Sequence, residues 1–287
     1  MMTDNINLNN FDWTLIVNDN ISKNILKGNN WEPHIIKFIN KYLKEGDVAL
    51  DIGACFGWHT LQMARSCGKT GKIYAFEPNQ INIKLLNKNL EQNNINNVTV
   101  CDIALGHKLM KTCICNAYTK NEINLGDSFI SFNYESGIDD INIPLGITKN
   151  GNILQITKKL VICMPLDDIV IESNIKFIKI DVQGFEKMVL EGAIKTINKN
   201  RPVMIIEFED PCMNIFGYSS KELISYIHSF NYYIYFLDYE YPSDHVCVPI
   251  EKLDKFETEF KNNIQEHSDN NNINNNFING IVKKIVL

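Results

Sequence analysis

The 287-residue chain has no CxxC pair, no basic-then-apolar leader, no apolar run of membrane-spanning length and no internal repeat. Each absence removes a class of protein. A spanning helix needs ~20 consecutive apolar residues, and no stretch approaches that. The opening MMTDNINLNN lacks the plan of a secretory leader, which predicts a cytoplasmic setting. The eight cysteines (Cys55, Cys67, Cys101, Cys113, Cys115, Cys163, Cys212 and Cys247) are not spaced as zinc or redox pairs, and several sit inside apolar strands. Reduced, buried thiols are therefore expected rather than a disulfide or zinc framework. A basic surplus is also missing. The net charge of −6 gives no general attraction to nucleic acid or anionic membrane, leaving a local basic patch as the route to either.

A hydrophobic content of 45% suffices for a full core in one large domain or two small ones. The abundance of Asn and Ile reads as a composition bias of the source rather than as chemistry.

One stretch organises the rest. Val48 to Pro78, VALDIGACFGWHTLQMARSCGKTGKIYAFEP, reads as strand, glycine turn, helix and strand, with Glu77 closing the second strand. Gly53 and Gly57 let the backbone pass close to a ligand, and an acid ~20 residues beyond a glycine turn suits the hydroxyls of a ribose. Neither GxGxxG nor GxxxxGK[ST] occurs. Asp51, ahead of the first glycine, would repel a pyrophosphate and suits a cofactor with a positive centre and an amino acid moiety. The bland alternative is a glycine-rich turn joining any strand to any helix.

In chain order, residues 1–30 are polar, with one apolar cluster at Phe11, Trp13, Leu15, Ile16 and Val17 that suits a short strand or flap. Trp31 to Leu43 predicts a helix, with Glu32-Pro33 in its first turn and Ile35, Ile36, Ile39, Tyr42 and Leu43 on one face. Asn79 to Gln92 predicts a second helix, and Val98 to Leu105 a third strand bearing Asp102. From Lys108 to Ile162 short alternating runs replace helices, at Thr112 to Tyr118, Phe129 to Phe132 and Leu160 to Met164. They read as a β-rich insert with a flexible stretch around Pro144 to Asn152. Its polar cluster Asn124, Gly126, Asp127 and Ser128 marks a turn or part of a second pocket.

The second informative stretch is Phe177 to Ala193, FIKIDVQGFEKMVLEGA. Phe177 to Val182 is a buried strand ending at Asp181, Gly184 opens a helix, and Glu186 in its first turn complements the helix dipole. Val203 to Phe208 is another buried strand, with Glu207 near its end. Asp51, Glu77, Asp102, Asp181 and Glu207 thus all fall at the carboxyl ends of expected parallel strands, where open α/β sheets bind ligands. Beyond them, Ser219-Ser220 with Glu222 starts a helix, one residue short of a capping box for Ser220. Tyr232 to Leu237 is a strand antiparallel to its neighbour. Tyr239 to Asn279 is charged and Asn-rich, with a low-complexity DNNNINNN.

DIGACFGWHTL, YAFEP, the LDD at Leu166 to Asp168, FIKIDVQGFEKMVLEGA and RPVMIIEF together resemble the FkbM family of S-adenosylmethionine-dependent methyltransferases, over about residues 46 to 238. GIVKKIVL at Gly280 to Leu287 suits that family's final strand. The resemblance implies a Rossmann-like class I methyltransferase fold. Its sheet would be mostly parallel and seven-stranded with an antiparallel last strand, and a β-rich insert would follow the third strand. It divides the chain into an N-terminal extension and covering helix over 1–45 and a methyltransferase domain over 46–287. The insert spans about 107–163 and a low-complexity loop about 262–279.

The resemblance also implies roles. Asp51, Gly53, Ala54 and Gly57 would hold the methionine moiety, with backbone N–H groups on its carboxylate. Glu77 would take both ribose hydroxyls, and Asp102 with Ile103 would bracket the adenine. Asp181 would orient or deprotonate the acceptor, helped by Glu186 or Glu207, since an alcohol must shed its proton as charge develops. His59 is the histidine nearest the site, with packing at a helix start as its plainer role. A metal at Asp181 and Glu186 has no third ligand in the sequence, so none is assigned. Cys55 stands where the family commonly has Asn, and Gln183 where it commonly has an acid.

The expected reaction is O-methylation of a hydroxyl on a sugar or other small molecule. The alternatives are a nucleic-acid methyltransferase and a cofactor-binding protein without catalysis. The acidic balance and DVQG in place of an Asn/Asp-Pro-Pro-aromatic signature argue against the first, while Gln183 keeps the second open. A dehydrogenase is disfavoured by the glycine loop.

Overall fold

Asn9 and Asn10 both adopt positive φ, 57° and 60°, and join strands β1 (Thr3–Leu8) and β2 (Phe11–Ile16) into an antiparallel hairpin. Left-handed pairs of this kind match the strand twist and favour Asn. The computed structural model describes residues 2–118, 128–131, 141–147, 153–171, 174–237, 243–266 and 283–285. After the hairpin come α1 (Asn20–Leu26), capped by Asp19, and α2 (Pro33–Tyr42), whose buried face is Ile35, Ile36, Phe38, Ile39 and Tyr42.

The expected strand–turn–helix–strand unit follows as β3 (Val48–Ile52), α3 (Trp58–Cys67) and β4 (Lys72–Phe76). Next are α4 (Gln80–Gln92), capped by Asn79, and β5 (Val98–Cys101). The strand expected to run on to Leu105 is broken at Asp102 and Ile103. Ala104–Leu105 forms a separate short strand, β6, which pairs with the insert rather than with the main sheet.

The insert is a second sheet. It contains β7 (Met110–Tyr118), β8 (Phe129–Ser131), β9 (Ile141–Ile147) and the long β10 (Ile153–Met164), and β10 pairs with β6, β7 and β9. Pro144, expected in a loop, lies within β9 opposite Gln155; residues 148–152 are outside the described set. The Leu166–Asp168 motif forms a single 3₁₀ turn. Asp167 there accepts hydrogen bonds of 2.8 Å from the backbone N–H groups of Lys195 and Thr196. It thereby caps a helix nearly thirty positions away in sequence.

The chain then returns to the main sheet through β11 (Ile175–Ile180), α5 (Glu186–Glu191), α6 (Ile194–Asn200), β12 (Val203–Phe208), α7 (Asp210–Ile215) and α8 (Ser220–Ser229). Ser219, not Ser220, is the cap of α8, and with Glu222 it completes the capping box. The last elements are β13 (Tyr232–Phe236), β14 (Ser243–Pro249), α9 (Leu253–Glu259), β15 (Ile264–Glu266) and β16 (Lys283–Ile285).

The main sheet runs β15-β16-β13-β14-β12-β11-β3-β4-β5. Its half from β5 to β12 is parallel throughout, and β14 lies antiparallel between β12 and β13. This is a Rossmann-like class I arrangement with a mixed sheet. The antiparallel strand of the core is Ser243–Pro249, inside the stretch read as charged and Asn-rich. The segment from Gly280 instead contributes β16, which pairs on the outer side of β13. Apolar clusters fill both faces. One joins α2, α3 and α9 to the sheet, a second joins α5, α6, α8 and the insert, and a third packs the hairpin against α3 and α4.

Candidate functional site

The carboxyl ends of β3, β4, β11 and β12 open on a cavity of about 260 Å³. The glycine loop forms one wall. Gly53 has φ 86°, and a Cβ there would stand 1.8 Å from the Asp181 carbonyl oxygen; only glycine lets β3 and β11 close at this point. Not all of the loop's N–H groups are free for a ligand carboxylate, however. Those of Gly53 and Ala54 donate to the Phe76 carbonyl at 3.0 and 3.1 Å, and that of Gly57 donates to Ala54 at 2.9 Å. The turn itself uses these three groups in this structure.

Asp51 is 1% exposed. Its Oδ2 accepts from Thr60 Oγ1 at 2.6 Å, while Oδ1 has no hydrogen-bond partner among the described residues. Burial raises its pKa, opposed by Lys179 and Thr60. A buried acceptor with one oxygen unmet suits a ligand N–H. Glu77 is buried at the end of β4, with Oε2 accepting from Cys55 N and Oε1 from Asn79 N, both at 2.8 Å. The Asn82 side chain donates to the carboxylate as well, and the acceptor capacity left over from these three donors suits a ribose hydroxyl. Burial pushes Glu77 up to about 7 against those bonds. Ile103 lines the cavity. Asp102 does not. It is exposed and accepts from Gln80 Nε2, because the chain leaves the main sheet there.

The opposite wall centres on Lys179, which the sequence reading passed over. It is 2% exposed and sits beside Asp51 in the β3–β11 register. Its Nζ donates to Asp181 Oδ2 at 2.9 Å. Burial alone would strip its charge, but Asp181, Asp51 and Glu32 outweigh burial and raise its pKa. The signal was there to read: a lysine inside FIKID, an otherwise apolar central strand, has no water to reach and must be paired.

Asp181 and Glu207 share a hydrogen bond, and Gln183 Nε2 donates to both, at 3.2 and 3.0 Å. Their environments separate them. Burial works against the Asp181 charge, but Lys179 and these donors overcome it and hold its pKa down. Burial and the neighbouring Asp181 and Asp244 charges push Glu207 well up. Gln183 reaches this position from a left-handed backbone, φ 54°. An acid in its place would put a third carboxylate against two.

Glu186 is not part of this group. Its Oε1 accepts from Val182 N and Gly184 N at 3.1 Å each, and Oε2 accepts from Tyr218 Oη at 3.1 Å. It ties down the turn that presents Gln183 and does not line the cavity. Burial still lifts it to about 7.

The N-terminal segment closes the cavity with Ile21, Trp31 and Glu32. Glu32 Oε2 lies 3.3 Å from His59 Nε2, outside hydrogen-bond geometry, and that nitrogen has no hydrogen-bond partner among the described residues. Burial, followed by the Lys179 charge, depresses the His59 pKa, so the ring is neutral. From the insert, Ser128 lines the cavity and its Oγ donates to Asn116 Oδ1 at 2.6 Å. Asn124, Gly126 and Asp127 lie outside the described residues. Among the described residues no three His, Cys, Asp or Glu side chains converge as a metal site, and no helix is long and apolar enough to cross a membrane.

Comparison with known proteins gives one family match, the methyltransferase FkbM domain, over residues 51–234. No functionally curated protein matches the chain. Among solved structures, the methyltransferase FkbM from Methylobacillus flagellatus KT is similar with 18% identity and a TM-score of 0.45. That match covers 72% of this chain, which spans 47% of that protein's length. An rRNA methylase from Streptococcus thermophilus shares 12% identity over 74% of this chain and 91% of its own, with a TM-score of 0.42. A SAM-dependent methyltransferase from Aquifex aeolicus shares 13% over 78% and 95%, with a TM-score of 0.40.

Proposed function

The chain belongs to the FkbM methyltransferase family, and on that premise we propose that it methylates a hydroxyl oxygen of a sugar or other small molecule. The cofactor is S-adenosylmethionine, which when bound supplies a methyl group on a sulfonium. The residues on and behind the first wall fit it: Glu77 for the ribose hydroxyls and Ile103 against the adenine on the lining, with the unmet Oδ1 of the buried Asp51 for the ammonium of the methionine moiety. The work left to the protein is alignment, exclusion of water and removal of one proton.

The carboxyl pair Asp181 and Glu207 on the cavity wall, with Lys179 on Asp181 and Gln183 bridging both, carries the reading. Two adjoining carboxyl groups in unlike surroundings suit an acid–base assignment. Asp181, paired with Lys179, is a weak base and serves as an anchor. Glu207, raised by burial, is the better proton acceptor once ionised. As the acceptor oxygen bonds to the methyl carbon and the carbon–sulfur bond breaks, the hydroxyl proton passes to Glu207. Gln183 orients the pair by donating to both. A phosphate-rich acceptor is disfavoured by the carboxylates on this wall.

The test is release of S-adenosylhomocysteine with pooled sugars and, separately, with RNA, in the parent and in Glu207→Gln. Turnover with the sugar pool, an acidic limb in the pH–rate profile and a loss of about 10²-fold or more in Glu207→Gln are expected. Turnover with RNA alone, or full activity in Glu207→Gln, would overturn the assignment.

A further inference from the structure

We propose that the acceptor carries a protonated amine near the hydroxyl that is methylated, as an amino sugar or amino alcohol does. This rests on the methyl-transfer reading and names the substrate class of the same site. Glu32, Asp181, Glu207 and Glu209 all line the acceptor side of the cavity, against Lys179 as the charged cation there. Lys179 is already committed to Asp181 at 2.9 Å and to its strand neighbour Asp51. Glu207 and Glu209 are two positions apart at the end of β12, and their donors are uncharged. Glu207 accepts from Gln183 Nε2 at 3.0 Å, and Glu209 Oε2 accepts from Cys212 Sγ at 3.0 Å.

A second observation points the same way. His59 is 6% exposed and lines the cavity, yet its Nε2 has no hydrogen-bond partner among the described residues and faces Glu32 Oε2 at 3.3 Å. Because the ring is neutral, this nitrogen and the carboxylate form a pair that a ligand N–H can bridge. One sulfonium on the cofactor offsets one carboxylate; burial and neighbouring acids raise Glu32 and Glu207, so a cation placed between them is what would let them ionise. A metal does not fit, since the described acids and histidines do not converge. The cofactor's own ammonium is assigned to the buried Asp51, behind the glycine loop rather than on this wall. An acceptor ammonium brings three N–H donors and a full charge, whereas a phosphate or uronate adds repulsion.

The experiment measures binding of D-glucosamine, D-glucose and D-glucuronate to the full chain saturated with S-adenosylhomocysteine, by ligand-observed NMR. Glucosamine should bind about tenfold or more tightly than glucose, with glucuronate weakest. Glu209→Gln should reduce that preference toward unity while the Kd for S-adenosylhomocysteine stays unchanged. Glucosamine binding no tighter than glucose, or a preference that survives in Glu209→Gln, would overturn the proposal. Failure of the parent chain to bind S-adenosylhomocysteine would instead overturn the methyl-transfer reading.

Discussion

Lys179 keeps its charge at 2% exposure because Asp51 and Asp181 flank it. Breaking a buried pair by removing one partner leaves a charge uncompensated, which costs more than the pair itself contributes. Lys179→Met is therefore expected to destabilise the fold by about 3–5 kcal/mol in urea unfolding. Adding Asp181→Asn to that variant should recover part of the loss; no recovery would mean that Lys179 acts by packing. Three other residues lining the cavity adopt backbone conformations that L side chains resist. Glu32 has φ 44°, Cys55 φ 49° and Gln183 φ 54°, in the left-handed region where Asn and Gly are at ease. At sequence level Cys55 and Gln183 were visible as unusual letters in a motif. What they mean depends on φ and on which carboxylates stand opposite, and neither is written in the order of residues.

Among elements, the N-terminal hairpin has the largest consequence for the site. Trp13 is fully buried and its ring lies 4.7 Å from that of Trp58 at the start of α3. Thr14 N donates to Asn89 and Asp12 N to Asn93, both at 2.8 Å, and Arg65 donates to the carbonyls of Asn9 and Asn10. The hairpin is thus fixed across α3 and α4, and the chain beyond it supplies Ile21, Trp31 and Glu32 to the cavity. Trp13→Ala should cost about 3–5 kcal/mol and also weaken cofactor binding, read by thermal unfolding and calorimetry. Unchanged cofactor affinity would separate the hairpin from the site. The Asn residues that looked like composition bias cap α4 and hold this hairpin, roles set by tertiary partners. The strand Ser243–Pro249 escaped notice for a related reason. Its buried Val246, Cys247 and Val248 are a short run averaged away by charged neighbours, and only pairing on both sides identifies it. The parallel half was legible because β3, β4, β11 and β12 are short, predominantly apolar runs.

For the whole molecule, charge placement matters more than its sum. Four of the five strand-end acids stand on or beside one cavity, while Asp102 was carried off by a break in its strand that no residue pattern announced. Crowding of buried acids links stability to pH. Glu77 and Glu186 are both lifted to about 7 from an ordinary 4.5, and burial also raises Asp51, Glu32 and Glu207. Between about 4.5 and 7 the folded state then holds protons that the unfolded chain has released, so stability falls as pH rises through that window and levels off above it. His59, depressed by burial, opposes this below its ordinary 6.5 as a single group. The cofactor-free protein should show its highest Tm near pH 5 and lose roughly several degrees by pH 8. A Tm that climbs steadily over that range would contradict this charge assignment.

The site's identity as an S-adenosylmethionine pocket can be tested without knowing the acceptor. Calorimetric titration of S-adenosylmethionine into the full chain at pH 8, where Glu77 is ionised, should give saturable one-to-one binding. Glu77→Gln should weaken it by about 10²-fold, the scale of two charge-assisted hydrogen bonds. Absence of saturable binding to the parent chain, or equal affinity in Glu77→Gln, would contradict the account.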